Sequence, residues 1–146
     1  MDEIRPWLLI GNYRDTLSGN YLTAKRISAM LQLAVRVEQP NITSLYLPVE
    51  DFAPIQHKFL REGVDFIRQQ KKNDNRILVA CAAGINRSSA FCAAAIKEEE
   101  DLSLFDAFKE VKKKHIESLP HEPVWESLCK FYNEPTPYLE VMKVRV

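Results

Sequence analysis

Cys81 and Arg87 enclose five residues, Ala82, Ala83, Gly84, Ile85 and Asn86, most of them small. The apolar run 76–80 leads in, and the helix-like stretch Ser88-Ser89-Ala90-Phe91 leads out. A short strand that feeds a helix through a loop of small residues leaves successive backbone N–H groups free to turn toward an anion. The helix N-terminus adds partial positive charge. Gly84 permits a positive φ, and the methyl side chains of Ala82 and Ala83 keep the approach open. Arg87 can hold two phosphate oxygens at once, which lysine cannot do. Ala82, Ala83, Gly84, Ile85, Asn86 and Arg87 are therefore the expected binding surface for a phosphate monoester.

Cys81 sits at the floor of that cup. The amides and Arg87 favour its thiolate, the form that attacks phosphorus. Ser88 is placed to donate a hydrogen bond to the sulfur and to ease its departure when the intermediate is hydrolysed. A two-step reaction through a phosphocysteine follows from these roles. A Walker loop would need Gly-Lys-Ser/Thr, but Gly84 is followed by Ile85, and that reading fails. The bland alternative is an inert cysteine in a tight strand–helix turn, with Arg87 paired on the surface.

The 146 residues have the length of one domain with a core of its own. Apolar content of 46% and charged content of 27% are those of an ordinary globular protein. Lys+Arg and Asp+Glu are equal at 20 each, so no global field collects nucleic acid or an anionic membrane. An anion site must be local. No run approaches the roughly 18 apolar residues of a membrane span. The start, Met1-Asp2-Glu3-Ile4-Arg5-Pro6, is acidic and broken by proline, unlike a secretory leader. Cys81, Cys92 and Cys129 are odd in number and lack close pairs, which argues against a disulfide framework and for a reducing, cytoplasmic setting. His57, His115 and His121 share no ligand spacing with the cysteines; all three read as satisfied or solvated, and neither metal nor other cofactor is expected.

The elements that must position the cup follow from periodicity. Residues 7–10, closed by Gly11-Asn12, read as a first strand, and Asn20 as the cap of a brief helix over 21–26. Residues 29–37 form an apolar run typical of a buried strand, with a short helix as the alternative that period alone leaves open, and 44–48 are a second buried-strand candidate. After a loop at 50–54, Leu60, Val64 and Ile67 mark an amphipathic helix over 55–70. Residues 76–80 are the central strand, followed by a helix over 87–99. Ser103 caps the next helix, with Leu104, Phe108 and Val111 as its buried stripe. Val124, Leu128 and Phe131 define a last helix. The alternating tail Val-Met-Lys-Val-Arg-Val reads as an edge strand that either covers the sheet or pairs with a second copy, and the oligomeric state is open. Alternating strands and helices give a three-layer α/β or α+β domain, and α/β is the class expected.

Residues 79–89, Val-Ala-Cys-Ala-Ala-Gly-Ile-Asn-Arg-Ser-Ser, resemble the signature loop of the dual-specificity branch of the protein tyrosine phosphatases. The likeness runs from Ile4 to about residue 132. It implies a single catalytic domain over 1–146, with a core at 4–132, a tail at 135–146, and a twisted, mostly parallel sheet of about five strands flanked by helices. It also implies an aspartate on an upstream loop that protonates the leaving oxygen, and Asp51 stands there, with Glu50 as its rival. The catalytic set is then Cys81, Arg87, Asp51 and Ser88. One departure stands out: the family carries histidine before the nucleophile, and this chain has Ala80. Slower chemistry, or a phosphate-binding module with little turnover, follows from that change.

The loop has one arginine and no lysine, which favours a phosphorylated protein over a multiply phosphorylated inositol lipid. Phosphotyrosine is the expected group, with phosphoserine and phosphothreonine beside it; an RNA 5′-phosphatase is the further alternative, since Asn86 beside Arg87 also occurs in that branch. Arg61, Lys71 and Lys72 are possible contacts for acidic targets or a solvated face. Cys92 reads as core, against a reversible disulfide partner for Cys81, and Cys129 as core.

Overall fold

The computed structural model describes residues 1–145. Five strands, β1 (Asp2–Arg5), β2 (Leu8–Asn12), β3 (Ala29–Gln32), β4 (Thr43–Tyr46) and β5 (Ile77–Cys81), form one sheet in the order β1-β2-β5-β3-β4. Only the β1–β2 pair is antiparallel. The expected mostly parallel five-stranded sheet is what forms. β5, all of whose residues are buried, lies at its centre, as an apolar run without polar alternation requires.

Parallel neighbours need crossovers, which the helices supply. They are α1 (Gly19–Ala24), α2 (His57–Lys72), α3 (Arg87–Glu100), α4 (Leu104–Lys114), α5 (Glu122–Tyr132) and α6 (Tyr138–Lys143). Strand alternation sorts the sheet's side chains between two unequal outer layers. Leu8, Ile10, Leu31, Ile77, Val79 and Cys81 join the large core with α2, α3, α4 and α5. Leu9, Met30, Leu78 and Ala80 join a smaller cluster with Leu22 of α1 and Ile27. α3 is buried along most of its length. Its Phe91 approaches α2 so closely that a Cβ at Gly63 would lie 2.4 Å from the ring. Arg61 and Arg68 of α2 grip Glu98 at 2.6 and 3.0 Å, while Arg68 and Lys71 grip Glu99 at 2.7 and 2.8 Å. Arg61 and Lys71 thus brace α3, which corrects their reading as contacts for acidic targets.

Five further differences appear. β1 is an additional strand: its charges lie outward on a sheet edge where only Ile4 is buried. β3 stops at Gln32 instead of reaching residue 37, because the buried Gln32 amide bonds both the carbonyl and the N–H of Val37 and closes a loop. β4 is an exposed edge, not a buried strand; the buried Leu47 lies just beyond it. The tail is helical over Tyr138–Lys143, where Tyr138 and Val141 turn inward at helical spacing; Val146 lies outside the described residues. Ser18, not Asn20, caps α1 by accepting the N–H of Tyr21. No helix among the described residues is long and apolar enough to cross a membrane.

Candidate active site

Cys81 closes β5 opposite Asn12 of β2. Its Sγ lies 3.1 Å from Ser88 Oγ and accepts the Ser88 N–H at 3.5 Å. Gly84 turns the loop between them at φ +74°. A Cβ there would sit 2.7 Å from the Gly11 carbonyl oxygen, so the loop can lie against β2 only without a side chain at this position.

Four of the five carbonyls of residues 82–86, those of Ala82, Gly84, Ile85 and Asn86, find donors in the surrounding fold. Ala82 O accepts from Tyr13 N at 3.3 Å, Ile85 O from Leu119 N at 3.1 Å and Ser89 Oγ at 2.5 Å, and Asn86 O from Ala90 N at 3.3 Å. Gly84 O accepts from His115 Nε2 at 2.7 Å. By contrast, no backbone N–H of residues 83–87 donates to another protein group among the described residues. Acceptors are spent on the fold; donors are left for an anion.

Arg87 opens α3 and is only 6% exposed. Its Nη1 donates to Leu33 O at 3.2 Å and Val49 O at 2.8 Å. Nε has no hydrogen-bond partner and lies 3.5 Å from Asp51 Oδ1. Anchoring one nitrogen on two carbonyls fixes the guanidinium plane and leaves the Nε edge for bidentate binding. Arg87 is therefore not the outward surface charge of the bland alternative.

Asp51 lies in the loop after β4, half-buried, and its Oδ1 accepts from Asn86 Nδ2 at 2.7 Å and from Phe52 N at 3.1 Å. Glu50 is exposed. Of the two rivals, Asp51 is the one the structure brings to Arg87. Asn86 departs from expectation in part: its backbone belongs to the loop, but its side chain points away to Asp51 and to the N–H of His121, whose bond to Oδ1 is 2.7 Å. Ala82 and Ala83 are exposed and Ile85 half-buried along the rim.

Two residues of this site had no individual signal in the sequence. His115, just beyond α4, is buried and spans from Asp2 Oδ2 at 2.6 Å to the Gly84 carbonyl, buttressing the loop from behind. Glu117 stands 3.8 Å from the same ring, completing the cluster Asp2, His115 and Glu117. His121 stacks on Phe52 with ring centroids 4.4 Å apart. Neither role leaves a periodic trace, because each partner comes from a distant segment. Ala80 faces the smaller apolar cluster, on the side of the sheet away from Cys81. Burial, and then the nearby Cys81, push the fully buried Cys92 thiol well above its usual range; burial also raises that of the half-buried Cys129.

The family description "Dual specificity phosphatase, catalytic domain" matches residues 8–134. The chain belongs to that family. It is 29% identical over 140 residues to dual specificity protein phosphatase 5 of Rattus norvegicus, an overlap covering 92% of this chain and 36% of the relative. To dual specificity protein phosphatase 16 of Homo sapiens it is 33% identical over 117 residues, covering 77% of this chain and 18% of the relative. The chain thus spans about a third or less of these relatives' length. Among solved structures, human DUSP28 superimposes with a TM-score of 0.84 at 23% identity, covering 91% of this chain and 96% of that one. A mouse putative dual specificity phosphatase complexed with zinc tungstate gives 0.84 at 25%, covering 90% and 86%.

Proposed function

We propose that the chain hydrolyses phosphomonoesters on proteins: phosphotyrosine, with phosphoserine and phosphothreonine accepted as well. The observation that carries this reading is the sidedness of the loop, with every bonded carbonyl turned into the fold and the N–H groups of residues 83–87 unspent beside a buried thiol and a buried guanidinium. In the first step Cys81 Sγ attacks phosphorus; the S–P bond forms as the ester P–O bond breaks, and Asp51 delivers its proton to the leaving oxygen. In the second, water attacks the phosphocysteine, Asp51 takes the water proton, and the S–P bond breaks to release inorganic phosphate. Ser88 steadies the departing thiolate through its hydroxyl. General acid catalysis contributes on the order of 10²–10⁴ to such a step, and the loop amides with Arg87 stabilise the charge that spreads over the equatorial oxygens.

The reading treats residues 1–146 as one catalytic domain, since a single core cluster extends from Ile4 to Val141. It places the chain in the cytoplasm, because a thiol nucleophile must stay reduced. A second reading, a phosphate-binding module with little turnover, rests on Ala80 alone. Para-nitrophenyl phosphate and phosphopeptides, with Cys81→Ser as the blank, separate the two. Phosphate release by the native chain and none by the serine variant is expected; phosphopeptide binding without release would put the second reading in its place. Preferential release from triphosphorylated RNA would overturn both.

A further inference from the structure

Asn86 holds two distant segments with the two ends of one amide. Its Nδ2 donates to Asp51 Oδ1, and its Oδ1 accepts the His121 N–H, both at 2.7 Å. The partners fix which end is which: a backbone N–H can only donate, so it faces oxygen, and the nitrogen is left for the carboxylate. Asn86 is buried, so neither bond competes freely with bulk water.

The rest of the acid loop is also docked on α5. Ile55 N donates to Ser127 Oγ at 2.9 Å, and the Phe52 ring stacks on His121. Phe52 nevertheless sits at φ +59° and is 70% exposed. A bulky residue in the left-handed region costs about 1–3 kcal/mol and persists only where neighbours over-determine it. The only side-chain hydrogen bond among the described residues that ties Asp51 itself to another segment is the one from Asn86.

We infer that Asn86 is a positioning residue for proton transfer. It occupies Asp51 Oδ1 and leaves Oδ2 to exchange the proton at the rim. It also couples that pose to the start of α5, so the acid is in place before substrate arrives. The inference rests on the reading of Asp51 as general acid.

Two aryl esters isolate the effect. Phenyl phosphate and para-nitrophenyl phosphate share a ring, but the phenoxide needs protonation to leave and the nitrophenoxide needs little. Asn86→Ala removes both bonds; Asn86→Asp keeps the acceptor for His121 and sets a second carboxylate against Asp51. Both variants are expected to lower kcat/KM, which reports the P–O cleavage step and not the hydrolysis of the shared phosphocysteine, about 10-fold or more on phenyl phosphate and several-fold less on para-nitrophenyl phosphate. In an Asp51→Asn background, where the acid is gone, either substitution should add less than about 2-fold.

Equal losses on both esters would overturn the inference, since they would mean a damaged cup. So would native-like rates on phenyl phosphate in Asn86→Asp, which would reduce Asn86 to an anchor for α5. Additive losses in the Asp51→Asn background would also overturn it while leaving the acid assignment standing. An Asp51→Asn variant as fast as the native chain on phenyl phosphate would instead remove the acid assignment, and the role of Asn86 with it.

Discussion

The floor of the cup and its acid flank are held by different kinds of bond. Along the floor, residues 82–86 join two core elements, β5 and α3, and backbone groups set the shape: Gly84 against Gly11, carbonyls capped from behind, Arg87 anchored on Leu33 and Val49. Along the flank, residues 50–54 lie largely at the surface and are held through side chains, by the Asn86 amide and the Phe52–His121 stack. A backbone-built floor keeps its geometry whatever binds it. A side-chain-built flank can be retuned without disturbing the core, so changes in the floor should cost activity and fold together, and changes in the flank should cost proton delivery alone.

The largest expected effect is on the floor. Arg87→Lys keeps the charge but loses the planar fork, and turnover of para-nitrophenyl phosphate should fall by about 10²–10³-fold. A fall below 10-fold would show that the loop amides suffice. Gly84→Ala should destabilise the fold by about 2 kcal/mol or more in urea titration, because alanine is strained at φ +74° and its Cβ meets the Gly11 carbonyl oxygen at 2.7 Å. Ala80→His, which sets a histidine directly before Cys81, forces an imidazole into the cluster of Leu9, Met30 and Leu78; overpacking should cost about 1–3 kcal/mol in the same titration. A stable, faster Ala80→His variant would break the contrast, since the floor would then accept a large change.

On the flank, Phe52→Gly relieves the left-handed strain but loses the stack on His121. The two are of similar size, so thermal unfolding should shift by no more than about 1 kcal/mol in either direction. The smallest effect concerns the seam that braces the floor. Burial alone would raise the Glu98 carboxyl, but hydrogen bonds from Arg61 and Tyr132 and the charges of Arg61 and Arg68 outweigh it and hold it below the usual range. Glu99 is held down in the same way by Lys71 and Arg68. A carboxylate depressed in the folded state stabilises above its unfolded pKa of about 4.3 and loses that stability as pH falls through the lower folded value. Tm should therefore drop on acidification below about pH 4, and a Glu98→Gln, Glu99→Gln double variant should drop less.

Legibility in the sequence follows the same division. β5, the loop and α3 could be read because a buried run, a small-residue loop and a helix are contiguous. α2, α4 and α5 were legible because an apolar stripe at helical spacing, joined in α4 by the Ser103 cap, is a local pattern. Misreadings fell where burial depends on distant partners. The charges of β1 resemble a loop until an edge position accounts for them, and the alternating tail resembles a strand until Tyr138 and Val141 find α5 to pack against. In the site, Asp51 was found through the likeness to a family, whereas Asn86 and His115 act across 35 and 31 positions of chain and leave no local pattern.

The tail has a bearing on where this domain can be cut. Tyr138 donates its hydroxyl to Pro120 O at 2.7 Å, and the buried Trp125 indole donates to Thr136 O at 2.9 Å. Pro120 is the neighbour of His121, the residue that the Asn86 side chain grips. A chain shortened to the family match at residue 134 would keep every residue proposed to bind phosphate, yet it would orphan an indole N–H and free the segment against which the Asp51 loop leans. Residues remote from the chemistry would then set how well a minimal fragment performs it.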